Sequence, residues 1–266
     1  MEIYGADAFS PGEVAERVEA VGVRKARLPF IQLFTLGVLA GGFIGLGALY
    51  YTLVVSDPHL GFAATRLLGG LAFSLGLILV VVAGAELFTG NNLLVMAWAG
   101  RKISGGELVR NWAIAYAGNF AGAFGLALLV VLARHGAMND SGVAAQAIAV
   151  AKGKAALPFA EAFFKGVLCN VLVCLAVWLA MAGRSVTDKI LAVIFPISAF
   201  VAAGFEHSVA NMYFLSVGSL LEGAIVGEGL LRNLVPVTLG NIAGGGVMVA
   251  LVYFIVYRLQ PARKPG

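Results

Sequence analysis

Gly84-Ala85-Glu86-Leu87-Phe88-Thr89-Gly90-Asn91-Asn92 and Gly204-Phe205-Glu206-His207-Ser208-Val209-Ala210-Asn211-Met212 each interrupt a long apolar run, and Glu to Asn is five residues in both. The run from Leu67 to Ala85 resumes from Leu87 to Gly100, and the run from Ile190 to Phe205 resumes from Ser208 to Leu221. Lipid offers no hydrogen-bond partner, so backbone that leaves the helix at membrane depth survives only where protein buries it or where it lines a watery cavity. Two broken spans at matching positions are the sequence pattern of a transport site between two halves of a bundle.

The halves show elsewhere too. Leu108-Val109-Arg110-Asn111 with Gly118-Asn119-Phe120-Ala121-Gly122 recurs at an offset of 122 as Leu230-Leu231-Arg232-Asn233 with Gly240-Asn241-Ile242-Ala243-Gly244. Leu28-Pro29-Phe30, Phe34 and Gly37-Val38-Leu39 recur at an offset of 129 as Leu157-Pro158-Phe159, Phe163 and Gly166-Val167-Leu168. The chain is a duplication. Each half holds three spans, an odd number, so the second half is expected to enter the membrane from the opposite side.

Composition agrees with a membrane protein. Of 266 residues, 60% are apolar and 12% charged, more apolar than a soluble domain. Six uncharged runs stand out: Leu28 to Ser56, Leu67 to Ala85, Asn111 to Ala133, Gly166 to Gly183, Ile190 to Phe205 and Asn233 to Tyr257. A span needs about 20 such residues. The fold class expected is therefore all-α, with six transmembrane helices as two inverted three-helix repeats and two helices interrupted. Many of the 35 glycines, Gly41, Gly118, Gly122 and Gly244 among them, would let these helices approach closely.

Met1 to Arg27 lacks the apolar core of a signal peptide and carries Glu13, Glu16, Glu19, Arg17, Arg24, Lys25 and Arg27. Ser10-Pro11-Gly12-Glu13 has the spacing of a capping box, and Val14, Val18 and Val21 form one apolar stripe. A surface helix is expected within residues 1–27, then a six-span domain over 28–259 with repeats at 28–134 and 157–259, then a tail at 260–266. His135 to Ala156 reads as a loop outside the membrane, with its polar Asn139-Asp140-Ser141-Gly142 turn an exposed connection. Placing the N-terminus inside puts 12 of the 18 Lys and Arg on the cytoplasmic face, which favours both termini inside and accounts for the net charge of +4 without nucleic acid. The two cysteines, Cys169 and Cys174, fall in one span and read as packing residues rather than a disulfide pair.

Few polar residues reach membrane depth. His207 is the one histidine there, and an ionisable side chain within a span costs about 2.5 to 3.5 kcal/mol or more, which marks it as a functional candidate rather than a satisfied structural group. Glu86 and Glu206 occupy matching positions, which points to a shared structural duty in preference to a proton relay: accepting backbone N–H groups of the broken loops, or pairing with Arg110 and Arg232. Asn170 and Asn241 are amides in apolar spans, available to orient His207; Asn119 and Asn241 are repeat mates, so the alternative is that both tie backbone together. Lys165 is either a snorkelling lysine or part of an electropositive mouth. Phe73, Leu77, Leu87, Val173 and Phe200 are not separated by periodicity from lipid-facing or core residues. The chain has no phosphate-binding Gly-Lys-Ser loop, no Cys or His metal spacing and no nucleophile elbow. Neither an enzyme nor a bound cofactor is expected.

Glu86-Leu87-Phe88-Thr89-Gly90-Asn91, Gly204 to Met212, Asn233 to Gly246 with Pro236-Val237-Thr238-Leu239-Gly240-Asn241, Lys165 to Asn170 and Asp188-Lys189 closely resemble the formate/nitrite transporter family. The resemblance covers nearly the whole chain. It implies an aquaporin-like six-span protomer in a homopentamer of the bacterial inner membrane. Each protomer would have its own pore for small monovalent anions such as formate or nitrite, with hydrosulfide, lactate and acetate as related substrates. By motif, His207 becomes the central pore histidine and Thr89 its hydroxyl partner, with Asn170 and Asn241 nearby. Phe73, Leu77, Leu87, Val173 and Phe200 become the apolar constrictions on either side. The mechanism expected is passage of a weak-acid anion together with a proton. Either His207, with a reference pKa near 6.5, supplies that proton, or the anion takes it from solvent while neutral His207 only hydrogen-bonds. An aquaporin-type pore for neutral solutes is the alternative, although Asn-Pro-Ala motifs are absent.

Overall fold

The computed structural model describes residues 8–222 and 227–259. Helix α1 (Pro11–Ala26) precedes α2 (Phe30–Val55) and α3 (Phe62–Leu79), which runs on through a π turn (Val80–Gly84). After the first break come a 3-10 turn (Gly90–Leu94), α4 (Val95–Ala99), α5 (Gly105–Leu132) and α6 (Gly142–Ala155). The second half holds α7 (Phe159–Ala182), α8 (Val186–Ala203), α9 (Ser208–Glu222) and α10 (Gly227–Ile242), which continues through a π segment (Ala243–Leu251) into α11 (Val252–Tyr257). Six helical stretches are long and apolar enough to cross a membrane. They are α2, α3 with its π turn, α5, α7, α8 and the run from Gly229 to Tyr257. Residues 1–7 and the tail at 260–266 lie outside the described residues.

The repeated glycines set the helix spacing. A Cβ added at Gly41 would collide with the Asn119 carbonyl of α5, and one at Gly122 with the Val38 carbonyl of α2. The same contact recurs between α7 and α10: Gly240 faces the Phe163 carbonyl, and Gly244 at the start of the π segment faces the Val167 carbonyl. Only a residue without a side chain permits backbones to touch this way. Outward faces stay apolar, with Ile31, Leu129, Phe195 and Leu231 exposed, as a lipid or subunit environment requires.

Helix α1 starts on a complete capping box, in which the Ser10 hydroxyl accepts from the Glu13 amide and the Glu13 carboxylate accepts from the Ser10 amide at 2.7 Å. The Ser10 amide foremost, and then the Ser10 hydroxyl, which donates to the same carboxylate at 2.8 Å, hold the Glu13 carboxyl below its ordinary pKa. Val14, Ala15, Val18 and Gly22 are buried, so the helix docks on the bundle and does not lie free. Glu19 is buried with them and is bound by Lys102 at 2.8 Å and Arg258 at 3.0 Å. Three distant segments are thereby pinned together at one end of the molecule.

The reading of residues 135–156 as a loop is corrected. Asn139, Asp140 and Ser141 do turn, all with left-handed φ, but Gly142–Ala155 then folds as α6 and buries Val143, Ala147 and Ala151 against the bundle. Alanine-rich chain has high helix propensity and needs only a narrow apolar stripe at i, i+4 to dock. That stripe, made mostly of alanine, does not stand out by hydropathy.

Candidate functional site

The two breaks are built from the same bonds. Gly84 and Gly204 both adopt positive φ, at 87° and 74°, where an L side chain would be strained. The Ala85 amide then donates to the Val80 carbonyl and the Phe205 amide to the Phe200 carbonyl, both at 3.0 Å. The Glu86 amide donates to the Leu36 carbonyl at 3.2 Å and the Glu206 amide to the Lys165 carbonyl at 3.3 Å. Each donor has its repeat mate, and each acceptor has its own. Backbone freed from the helix finds protein partners at both breaks, as an apolar surrounding demands.

Asn119 and Asn241 complete these loops. Asn119 accepts from the Phe88 amide at 2.9 Å and donates to the Gly37 and Glu86 carbonyls; Asn241 accepts from the Ser208 amide at 2.9 Å and donates to the Gly166 and Glu206 carbonyls. Of the two readings open for Asn241, the structure carries the backbone tie. Its amide holds the chain on both sides of His207 without touching the imidazole. Asn170 also stands one step away. Its Nδ2 donates to the Thr89 carbonyl at 3.2 Å and the Asn241 carbonyl at 2.7 Å, while its buried Oδ1 has no partner.

The glutamates do not pair with Arg110 and Arg232, and that expectation is corrected. Lys25 binds Glu86 at 3.0 Å and Lys154 binds Glu206 at 2.9 Å. The neighbouring asparagines Asn111 and Asn233 face inward, so Arg110 and Arg232, one residue and about 100° away on the helix, point outward. Asn91 donates to Glu86 and Asn111, and Asn111 donates to the Lys25 carbonyl. Asn211, Asn233 and Lys154 repeat the circuit around Glu206. Lys25 and Lys154 stand three residues before the two Leu-Pro-Phe copies, at the same offset of 129. That offset was the signal that could have found them.

Where the halves differ, they place different chemistry. Position 207 is histidine and its mate 87 is leucine; position 89 is threonine and its mate 209 is valine. The two polar members meet: Thr89 Oγ1 lies 2.8 Å from His207 Nε2, with both residues buried. The Ala210 amide donates to His207 Nδ1 at 3.0 Å. An amide can only donate, so Nδ1 is the acceptor and the ring proton sits on Nε2, directed at Thr89. This is a neutral imidazole held at both nitrogens.

Two cavities approach this pair. One, of about 880 Å³, is lined by Arg24, Lys25, Glu86, Leu87 and Lys189 and sits where α7 ends and α8 begins. The other, of about 370 Å³, is lined by Lys154, Lys165, Phe73, Phe200 and His207 and sits where α7 begins and α8 ends. They are thus at opposite ends of the same helices. Phe73 and Phe200 pack edge to face at 5.6 Å, and Phe200 stacks on the His207 ring at 5.9 Å. Leu77, Leu87 and Val173 belong to the same buried apolar cluster. Lys165 lines the smaller cavity but is bound by Glu161 at 2.7 Å, a partner on its own helix. Cys174 is buried with its Sγ 3.4 Å from the Thr89 carbonyl, and Cys169 is buried and unpaired.

A family model described as Formate/nitrite transporter matches residues 12–255 of the chain. Formate channel FocA of Escherichia coli (strain K12) is 37% identical over 271 residues, covering 94% of this chain and 95% of that protein. Among solved structures, a pentameric formate channel with formate bound is 40% identical with a TM-score of 0.77, covering 86% of this chain and 97% of that one. A channel described as an FNT family ion channel is 32% identical with a TM-score of 0.83, covering 94% and 99%.

Proposed function

This chain belongs to the formate/nitrite transporter family, and from that premise we propose that it conducts formate and related small monovalent weak-acid anions as the neutral acid, past a neutral His207. Its relatives are channels and transporters, not enzymes, and its six apolar helices make it a multi-pass membrane protein. The proposed working form is a homopentamer with one pore per protomer, as in the pentameric relative. The proposed setting is a bacterial inner membrane, with the two halves inverted and both termini cytoplasmic. Residues 28–259 form the conduit, and α1 docks on it.

One observation carries the mechanism: His207 and Thr89, each from a different break, share a buried hydrogen bond, and His207 Nδ1 is occupied by a backbone N–H. A second proton on the ring would have to displace that N–H and leave it unpaired in a buried site, a loss of about 1–3 kcal/mol before any cost of burying the charge. The passing acid therefore brings its own proton. A bare anion crossing Phe73, Leu77, Leu87, Val173 and Phe200 would pay the desolvation cost of a charge. The carboxylate collects a proton from water in the cavity, aided by nothing more than its rising proton affinity as it leaves high dielectric. Thr89, whose oxygen accepts from His207 Nε2, has its own O–H left to donate to the acid's carbonyl oxygen. His207 thus orients a donor that the substrate meets between the two mouths.

His207→Asn tests this through formate uptake into proteoliposomes as a function of outside pH. The expected result is lower uptake with the parent's rise toward acid pH retained. Loss of that rise in the variant would show that His207 itself supplies the proton.

A further inference from the structure

The two mouths differ in free charge as well as in volume. The 880 Å³ cavity is lined by Arg17, Arg24, Lys25 and Lys189, with Glu86 as its one acidic lining residue. Lys25 neutralises Glu86 at 3.0 Å, and Arg17 lies over the Phe9 ring at 4.0 Å, a contact that leaves its charge intact. Among the described residues Arg24 and Lys189 make no ion pair. Among the described residues, three cations therefore line this chamber without an ion pair. At the 370 Å³ mouth Lys154 is taken by Glu206 and Lys165 by Glu161, which leaves Arg66.

We propose that the larger mouth is a binding site for small dianions, such as sulfate, hydrogen phosphate or a short dicarboxylate, and that an ion held there blocks the pore from that face alone. The attraction of several cations grows in proportion to the charge of the anion, so a dianion gains about twice what formate gains in the same chamber. The same charge stops it going further. On the mechanism proposed above, which this inference rests on, one proton makes a weak-acid monoanion neutral, whereas a dianion that takes one proton is still charged. Leu87 and the buried cluster behind it exclude a charged, hydrated ion. The smaller mouth lacks the free charge to retain one, so the block has a side.

Radiolabelled formate uptake into vesicles of zwitterionic lipid tests this, with sodium sulfate supplied outside, inside or on both faces and sodium chloride at matched ionic strength as the control. Sulfate remains a dianion across the working pH. With random insertion, sulfate on either face stops only the fraction of channels whose larger mouth it reaches, and sulfate on both faces stops all uptake. The Arg24→Ala, Lys189→Ala double variant raises the half-inhibiting sulfate concentration about tenfold, while Arg66→Ala leaves it unchanged. Equal inhibition by chloride, complete inhibition from one face of randomly inserted channels, or an unshifted double variant would each overturn the dianion site. Vesicles that take up no formate without sulfate would instead overturn the conduction on which it rests.

Discussion

The break at Glu86 and the break at Glu206 use the same glycine, the same backbone bonds, the same asparagine tie and the same lysine counterion, yet one presents Leu87 and Thr89 and the other His207 and Val209. The shared parts are those that satisfy backbone and buried charge, a demand that lipid makes equally on both halves. The parts that differ face the other half. Duplication thus keeps the scaffold symmetric and leaves the lining free to diverge, and the one hydrogen bond joining the breaks, Thr89 to His207, exists because the two diverged in complementary directions.

The scaffold is not symmetric in every detail. Lys25 has Asn91 Oδ1 as a second acceptor at 3.0 Å and its side chain is 27% exposed; Lys154 has only Glu206 and the Phe214 ring, at 15% exposure, and Asn211 Oδ1 is left without a partner. Removing Lys154 strands a buried carboxylate with less water nearby. Lys154→Ala should therefore cost about 3 kcal/mol or more, and Lys25→Ala less. Thermal unfolding of the two variants in detergent checks the order, and equal losses would break the distinction between the halves.

A sharper test separates scaffold from lining. Asn119→Ala and Asn241→Ala each remove three buried hydrogen bonds and should lower stability alike, by about 2 to 3 kcal/mol. Their effects on formate uptake should diverge. Asn241 ties Glu206 and Ser208, the residues flanking His207, whereas Asn119 ties Glu86 and Phe88, the residues flanking Leu87. Equal uptake by two equally destabilised variants would mean that the position of His207 does not matter.

The smallest effect concerns the bond between the halves. Thr89→Val keeps the shape and makes the break like its mate at Val209, at a cost of about 1 kcal/mol in stability for one lost hydrogen bond. Uptake should fall by a larger factor than stability alone explains, since the donor to the passing acid is gone. Unchanged uptake in Thr89→Val would remove Thr89 from the pathway and leave His207 as the sole polar group there.

Six spans, two of them broken, and a duplication could be read from the chain because uncharged length and repeated motifs are one-dimensional quantities. So could the pairing of Glu86 with Glu206 and of Asn119 with Asn241, since both follow from offset alone. Partners could not. Arg110 and Arg232 are the basic residues in the repeated motif, but helix rotation turns them outward and gives the glutamates to Lys25 and Lys154, which lie on α1 and α6. The alanine stripe of α6 is equally silent in a hydropathy reading, because alanine docks by fitting rather than by being strongly apolar.

The sequence by itself determined that the chain is a duplicated, six-span membrane protein of a recognisable family, because composition and motif order do not depend on how helices turn. The tertiary structure decided which residues meet: that Thr89 faces His207, that an amide fills Nδ1 and fixes the proton on Nε2, and that, among the described residues, one mouth has three cations outside ion pairs while the other has one. The contact of Thr89 with His207, 118 positions apart, depends on the rotation and depth of several helices at once, and no local pattern encodes it.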